Sequence, residues 1–144
     1  MTPIDFGTVN WLAVVVAALA YFAIGAIWYI PQTPMGQAWA KAIGFTSHPG
    51  EQGQPNPSIY ALPLVGHVVT AAVTAALANA LSVQSLTDGM LLGAIVWLGY
   101  HVPNWILASI FNPHAKQPMN LIALYSAHHL VGMLAMGAII GAWR

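Results

Sequence analysis

Four stretches of this chain, roughly residues 9–29, 60–81, 89–110 and 119–143, contain no Asp, Glu, Lys or Arg. A helix needs about 20 apolar residues to cross the hydrocarbon of a bilayer, and each of these stretches is long enough. Backbone N–H and C=O groups find no water in lipid and must be satisfied within the segment, which leaves helices as the reading of such runs. The expected fold is all-α: an integral membrane bundle of four transmembrane helices, forming a single membrane domain over residues 1–144. Composition agrees, since 58% of residues are hydrophobic and only 4% charged, against roughly a quarter charged in soluble domains. The lipid bilayer is thus the first expected partner. The net charge is zero, which offers no basic stripe to nucleic acid. There is no cysteine, so disulfides and thiolate metal sites are excluded. The opening "MTPIDFGTVN" has no basic residue and leads into an apolar run reaching Ile30, a pattern that predicts an uncleaved membrane helix over a removable leader.

The links differ in kind. Residues 82–88, "SVQSLTD", predict a short polar turn, with Asp88 near the positive end of the third helix. The loop over 30–58 is long. Its first part, "PMGQAWAKAIGF", sets Met35, Trp39, Ala42 and Ile43 at helical spacing, as in a short amphipathic interfacial helix; an ordered loop anchored by the Trp is the other reading. Its second part, "SHPGEQGQPNPS", is rich in Pro, Gly and Gln and predicts an irregular solvent loop. "NPHAKQP" reads as a Pro-bounded turn. Trp11, Trp28, Trp105 and Trp143 fall near helix ends, where an aromatic belt is expected; Trp97 lies deeper and needs a packing partner. Lys41 and Lys116 share one side and Arg144 lies on the other, so the positive-inside rule places both termini on the non-cytoplasmic side of a plasma membrane.

Helices in lipid associate through small residues and polar links. Gly89 and Gly93, Gly137 and Gly141, and the alanines at 71, 72, 75 and 76 supply small positions at suitable spacing. Pro103 removes a donor, frees the Gly99 carbonyl and predicts a kink in the third span.

The polar residues sort by height. Counted at about 1.5 Å per residue from the side holding the long loop, Tyr21, His67, His101, His128 and His129 share one level. Each helix also carries one polar stripe: Asn10, Val14, Ala17, Tyr21, Ile24 and Trp28; His67, Thr70 and Thr74; Ala94, Trp97, His101, Asn104 and Ala108; Tyr125, His129, Gly132 and Met136. A four-helix bundle can turn all four inward. His128 points about 100° from His129, towards the same centre or towards a partner chain. "IYALPLVGHVV" and "LIALYSAHHLV" share an Ala-Leu pair with a His five residues after the Leu, as two halves of a parallel repeat would. Ionisable groups within a membrane are a functional hypothesis by default. The expected centre has His67, His101 and His129 as ligands or donors, with His128, Tyr21, Asn104 and Tyr125 around them. Several occupants suit these residue types: a metal ion on the three histidines, a haem, a quinone, or a transported proton. A polar network that only fixes helix register is the plain alternative. The rival class is an accessory or assembly subunit of a larger membrane complex, or a homo-oligomer. His48 and His114 fall in loops. An enzyme ranks last, because no carboxylate pair, Ser-His-Asp set, phosphate loop or zinc-protease motif is visible.

The segment Asn10–Phe45 carries a resemblance: the Asn10-Trp11 start, the Gly25-x-x-Trp28-Tyr29-x-Pro31 exit and the Gly36-x-x-Trp39 loop. It resembles the small bacterial membrane proteins of domain of unknown function 1761. Gln37 departs from that pattern, which tends to a basic residue before the Ala-Trp pair. The resemblance implies a small four-span protein of the bacterial inner membrane and carries no functional residue with it.

Overall fold

The computed structural model describes residues 4–44 and 57–143. His48, Glu51, Arg144 and most of the Pro/Gly/Gln-rich stretch lie outside the described residues. Four helices are long and apolar enough to cross a membrane: Trp11–Trp28, Ala61–Ala80, Leu86–Ile110 and Pro118–Ala142. The elements are α1 (Trp11–Trp28), α2 (Pro34–Ile43), α3 (Ala61–Ala80), α4 (Leu86–Val96), a π-helical turn (Trp97–His101), α5 (Val102–Ile110) and α6 (Pro118–Ala142), with single 3₁₀ turns at Phe6–Thr8 and Pro57–Tyr60. α4, the π turn and α5 together form the third span.

Local chemistry sets the helix starts. Asn10 caps α1 by accepting the Ala13 N–H at 3.1 Å. The third span begins at Leu86, three residues before the expected Gly89, because Ser85 caps it. The Ser85 hydroxyl oxygen accepts the Asp88 N–H at 3.1 Å and its O–H donates to the Asp88 carboxylate at 2.7 Å. This reciprocal pairing satisfies an orphan donor at the helix N-terminus. The amphipathic reading of the first loop holds. α2 starts at a Thr33 cap with Pro34 in its first turn and stops at Gly44, whose φ of 75° needs no Cβ. Its inner face uses Gly36 and Ala42, both buried, while Met35 is turned out. Gly36 sits so close to the Ile30 carbonyl that a Cβ would collide with it. The Ala42 carbonyl accepts the Lys116 and Gln117 N–H groups at 2.8 and 3.1 Å, which joins the two links on this side of the bundle, here called the loop side.

Packing centres on α6, which meets α4 along its length and also contacts α1, α2 and α5. The α4–α6 seam is a backbone contact. A Cβ on Gly89 would strike the Gly137 carbonyl, one on Gly93 would strike the Met133 carbonyl, and one on Gly141 would lie 3.0 Å from the Gly89 Cα. α1 rests on α6 and α3 through Val14, Ala17, Ala18, Ala71, Ala75 and Ala76, all buried. On the terminal side, the Asn79 amide donates to the Thr8 carbonyl at 3.1 Å. The Asn10 amide donates to the Trp143 carbonyl at 3.4 Å. These bonds tie the ends of three spans together around a cavity of about 220 Å³.

The kink expected at Pro103 takes the form of the π turn. The Val102 N–H reaches back five residues to the Trp97 carbonyl, so the register shifts just ahead of the residue that cannot donate. Such turns place one extra residue in the helix.

Gly137→Ala and Gly93→Ala should each lower stability by about 1–3 kcal/mol, since the clash falls on backbone that cannot yield. Gly66→Ala, where a Cβ meets no atom within 4 Å, should change stability by less than about 0.5 kcal/mol. Unfolding in mixed micelles titrated with dodecyl sulfate measures both.

Candidate functional site

The site is built around Tyr21, the largest fully buried side chain. Its ring fits against Gly132 of α6, where a Cβ would overlap the phenol carbons. It stacks on His67 of α3, with centroids 4.1 Å apart and planes 10° from parallel. Its hydroxyl hydrogen-bonds to Nδ1 of His129 on α6. With the phenol donating, the neutral imidazole of His129 keeps its proton on Nε2.

Around that axis the third span contributes two rings. His101 stacks on His129 at 4.9 Å and 21°. Trp105 stacks on His129 at 5.0 Å and 16°, and on Tyr125 at 4.2 Å and 27°. The Tyr125 hydroxyl accepts the Trp39 Nε1–H at 3.0 Å, which pins the amphipathic helix over the loop-side end of the cluster. His128 lies 4.6 Å from His129, centroid to centroid. It is only 5% exposed, so the pair "HH" puts both rings into one centre. Tyr29 meets His128 edge-on at 5.2 Å, with its hydroxyl 3.4 Å from Nδ1. Gly25 makes room on the far side, since a Cβ there would lie 2.9 Å from His128 Nε2.

Of the residues expected from sequence, the structure brings together His67, His101, His128, His129, Tyr21 and Tyr125. Asn104 is turned outward and exposed, and no bond joins it to the histidines. The π turn explains this. With about one extra residue per turn, the inward row runs Trp97, His101, Trp105 at steps of four, and the expected Asn104 and Ala108 rotate off it. Trp97 finds its partner here: its Nε1–H donates to the Ser126 carbonyl at 2.8 Å. Trp28, the last residue of α1, and Trp105 both pack on the imidazoles, Trp28 at 6.1 Å from His128. Sequence reasoning missed Tyr29 and Trp105 as members. The signal for Trp105 was its i+4 spacing from His101.

Among the described residues, no three His, Asp or Glu side chains are arranged to hold a metal ion. The physical reason is the stacking. The Tyr21 ring lies against His67 and bonds His129, and His101 lies face to face with His129, so these rings are engaged with one another. The same face-to-face contact leaves no gap between His101 and His129 for a haem. What the cluster does offer is unpartnered polar atoms. His128 Nε2, Trp28 Nε1 and Trp105 Nε1 are buried without a hydrogen-bond partner. A buried donor without an acceptor costs about 1–3 kcal/mol.

Tyr21→Phe should cost about 0.5–1.5 kcal/mol, the usual range for a bond between membrane helices, and leave His129 Nδ1 without its partner. Gly132→Ala should cost about 1–3 kcal/mol by forcing the phenol aside. The ¹⁵N shifts of His129 read the first effect, as a single tautomer giving way to a mixture, and micelle unfolding reads the second.

A family model described as protein of unknown function, DUF1761, matches residues 12–141. The match thus extends through all four spans, well past the first-third segment that carries the resemblance. It begins just after the Asn10-Trp11 pair. No curated protein and no solved structure matches the chain. With nearly its full length covered, this four-span helical membrane protein belongs to the DUF1761 family.

Proposed function

We propose that the imidazole cluster is a binding site for a lipid-soluble molecule bearing carbonyl or hydroxyl oxygens, of the quinone class, received from the side of the bundle. The observation that carries this reading is the gathering of four histidines from three spans beside buried ring nitrogens that lack partners. Neutral imidazole and indole N–H groups are donors in search of acceptors, and oxygen atoms of a planar conjugated ligand supply them. Stacked aromatic faces suit such a ligand as well, because offset stacking is worth about 0.5–1.5 kcal/mol beyond area burial.

Geometry supports lateral access. α3 packs on α1 and has no extensive contact with the π turn or α5. His67 and His101, one from each side of that division, are only partly buried. A Cβ at Gly66 or Gly99 would meet nothing within 4 Å. The transported-proton reading fits less well. Towards the terminal side, the layer gives way to buried Ala17, Ala18, Ala71, Ala75, Met133 and Met136, an apolar core with few groups to pass a proton along.

The test uses the purified full chain in detergent, titrated with a short-chain alkyl benzoquinone while tryptophan fluorescence is followed. Trp28 and Trp105 lie at the cluster and should report binding as saturable quenching. His101→Leu and His129→Leu should weaken it about tenfold, the loss of one hydrogen bond. His114→Ala, exposed in the last link, should leave it unchanged. Quenching that rises linearly without saturation, or that is equal in wild type and in both His-to-Leu variants, overturns the reading.

A further inference from the structure

The third span carries a second feature, which the binding site does not use. Few of its residues are buried within the bundle: Gly89, Leu92, Gly93 and Ser109. Tyr100, Asn104, Leu107 and Phe111 follow one another at steps of four, three and four, so they share one face. Tyr100 is 75% exposed, Leu107 57% and Phe111 77%. Asn104 is exposed among them. Apolar side chains on such a face are at home in acyl chains; an amide is not. Asn104 lies six residues inside the Ile110 end of the span, at about 1.5 Å per residue roughly 9 Å in. Its short side chain has less reach towards the headgroups than Lys or Arg, which snorkel. Polar residues at such depth are normally turned to the bundle interior or to a partner.

We infer that this face is the interface between two copies of the chain, paired about a twofold axis along the membrane normal. Insertion gives both copies the same orientation, and the twofold brings each residue to the depth of its own counterpart. Asn104 then meets Asn104. An amide has both a donor and an acceptor, so the pair can exchange two hydrogen bonds, as a single Asn does in specifying coiled-coil partners. Tyr100, Leu107 and Phe111 pack above and below it. Interhelical Asn bonding of this kind is a recognised link between membrane helices.

The chain has no cysteine, so single substitutions report cleanly. Full-length Tyr100→Cys and Leu107→Cys, reconstituted in dilute liposomes, should give covalent dimers with a short bifunctional thiol reagent. Leu19→Cys, equally open on α1 at 50% exposure, should not. Asn104→Leu in an otherwise unchanged chain should raise the dimer dissociation constant about tenfold, and Asn104→Gln, which keeps donor and acceptor, should restore most of it. The quinone titration of the Asn104→Leu monomer separates loss of this interface from loss of the fold. Equal cross-linking from Leu19→Cys and Leu107→Cys, single copies at every protein-to-lipid ratio, or an Asn104→Leu dissociation constant equal to wild type overturns the inference.

Discussion

Lipid gives one helix no hydrophobic reason to leave acyl chains for another, so a bundle in a membrane holds by close approach and by polar links. In this chain the approach is closest where α4 and α6 touch through Gly89, Gly93, Gly137 and Gly141. No other residue fits at these four positions without pushing the spans apart. The seam sets the distance between the third and fourth spans, and with it everything farther along them. Because the backbones meet on the terminal half, Trp97 can reach the Ser126 carbonyl, and His101 and Trp105 can lie against His129. The glycines and the imidazoles are two ends of one packing arrangement.

Within the site, the organising group is a phenol. Tyr21 offers a face to His67, an edge to His128 and a hydroxyl to His129. It thereby fixes three rings that would otherwise rotate. The room for it is made on the opposite helix by Gly132, much as Gly25 makes room for His128. Among the described residues no carboxylate lies beside these groups, and the cluster is ordered by stacking and by hydrogen bonds.

The spans, the amphipathic helix and the shared level of the histidines were legible because they rest on simple regularities: uncharged runs, a helical period, a fixed rise per residue. The helix starts were less so. The third span gained a turn because Ser85 and Asp88 pair across its first residues, and "SVQSLTD" looks equally like a plain polar turn. Faces failed where the period changed. Asn104 sits on the inward row of an ideal α-helix, but the extra residue between Trp97 and His101 moves Trp105 into its place. Pro103 announces an irregularity, yet whether the helix answers with a bend or with a register shift depends on what its neighbour accepts. Here the neighbour offers the Ser126 carbonyl and the His129 ring, and a row at steps of four meets both. Partners across the bundle, such as Tyr29 with His128, depend on helix rotation and could not be read from one span alone.

The join between α2 and the last link has a consequence for how the chain matures. The Ala42 carbonyl is held by the N–H groups of Lys116 and Gln117, and the Trp39 indole by the hydroxyl of Tyr125. Each of these partners is made long after α2 itself leaves the ribosome. Until the fourth span is threaded, α2 has Tyr29, whose ring lies 5.4 Å from that of Trp39, and the membrane surface to rest on. Its final seat therefore requires that both hairpins have been inserted.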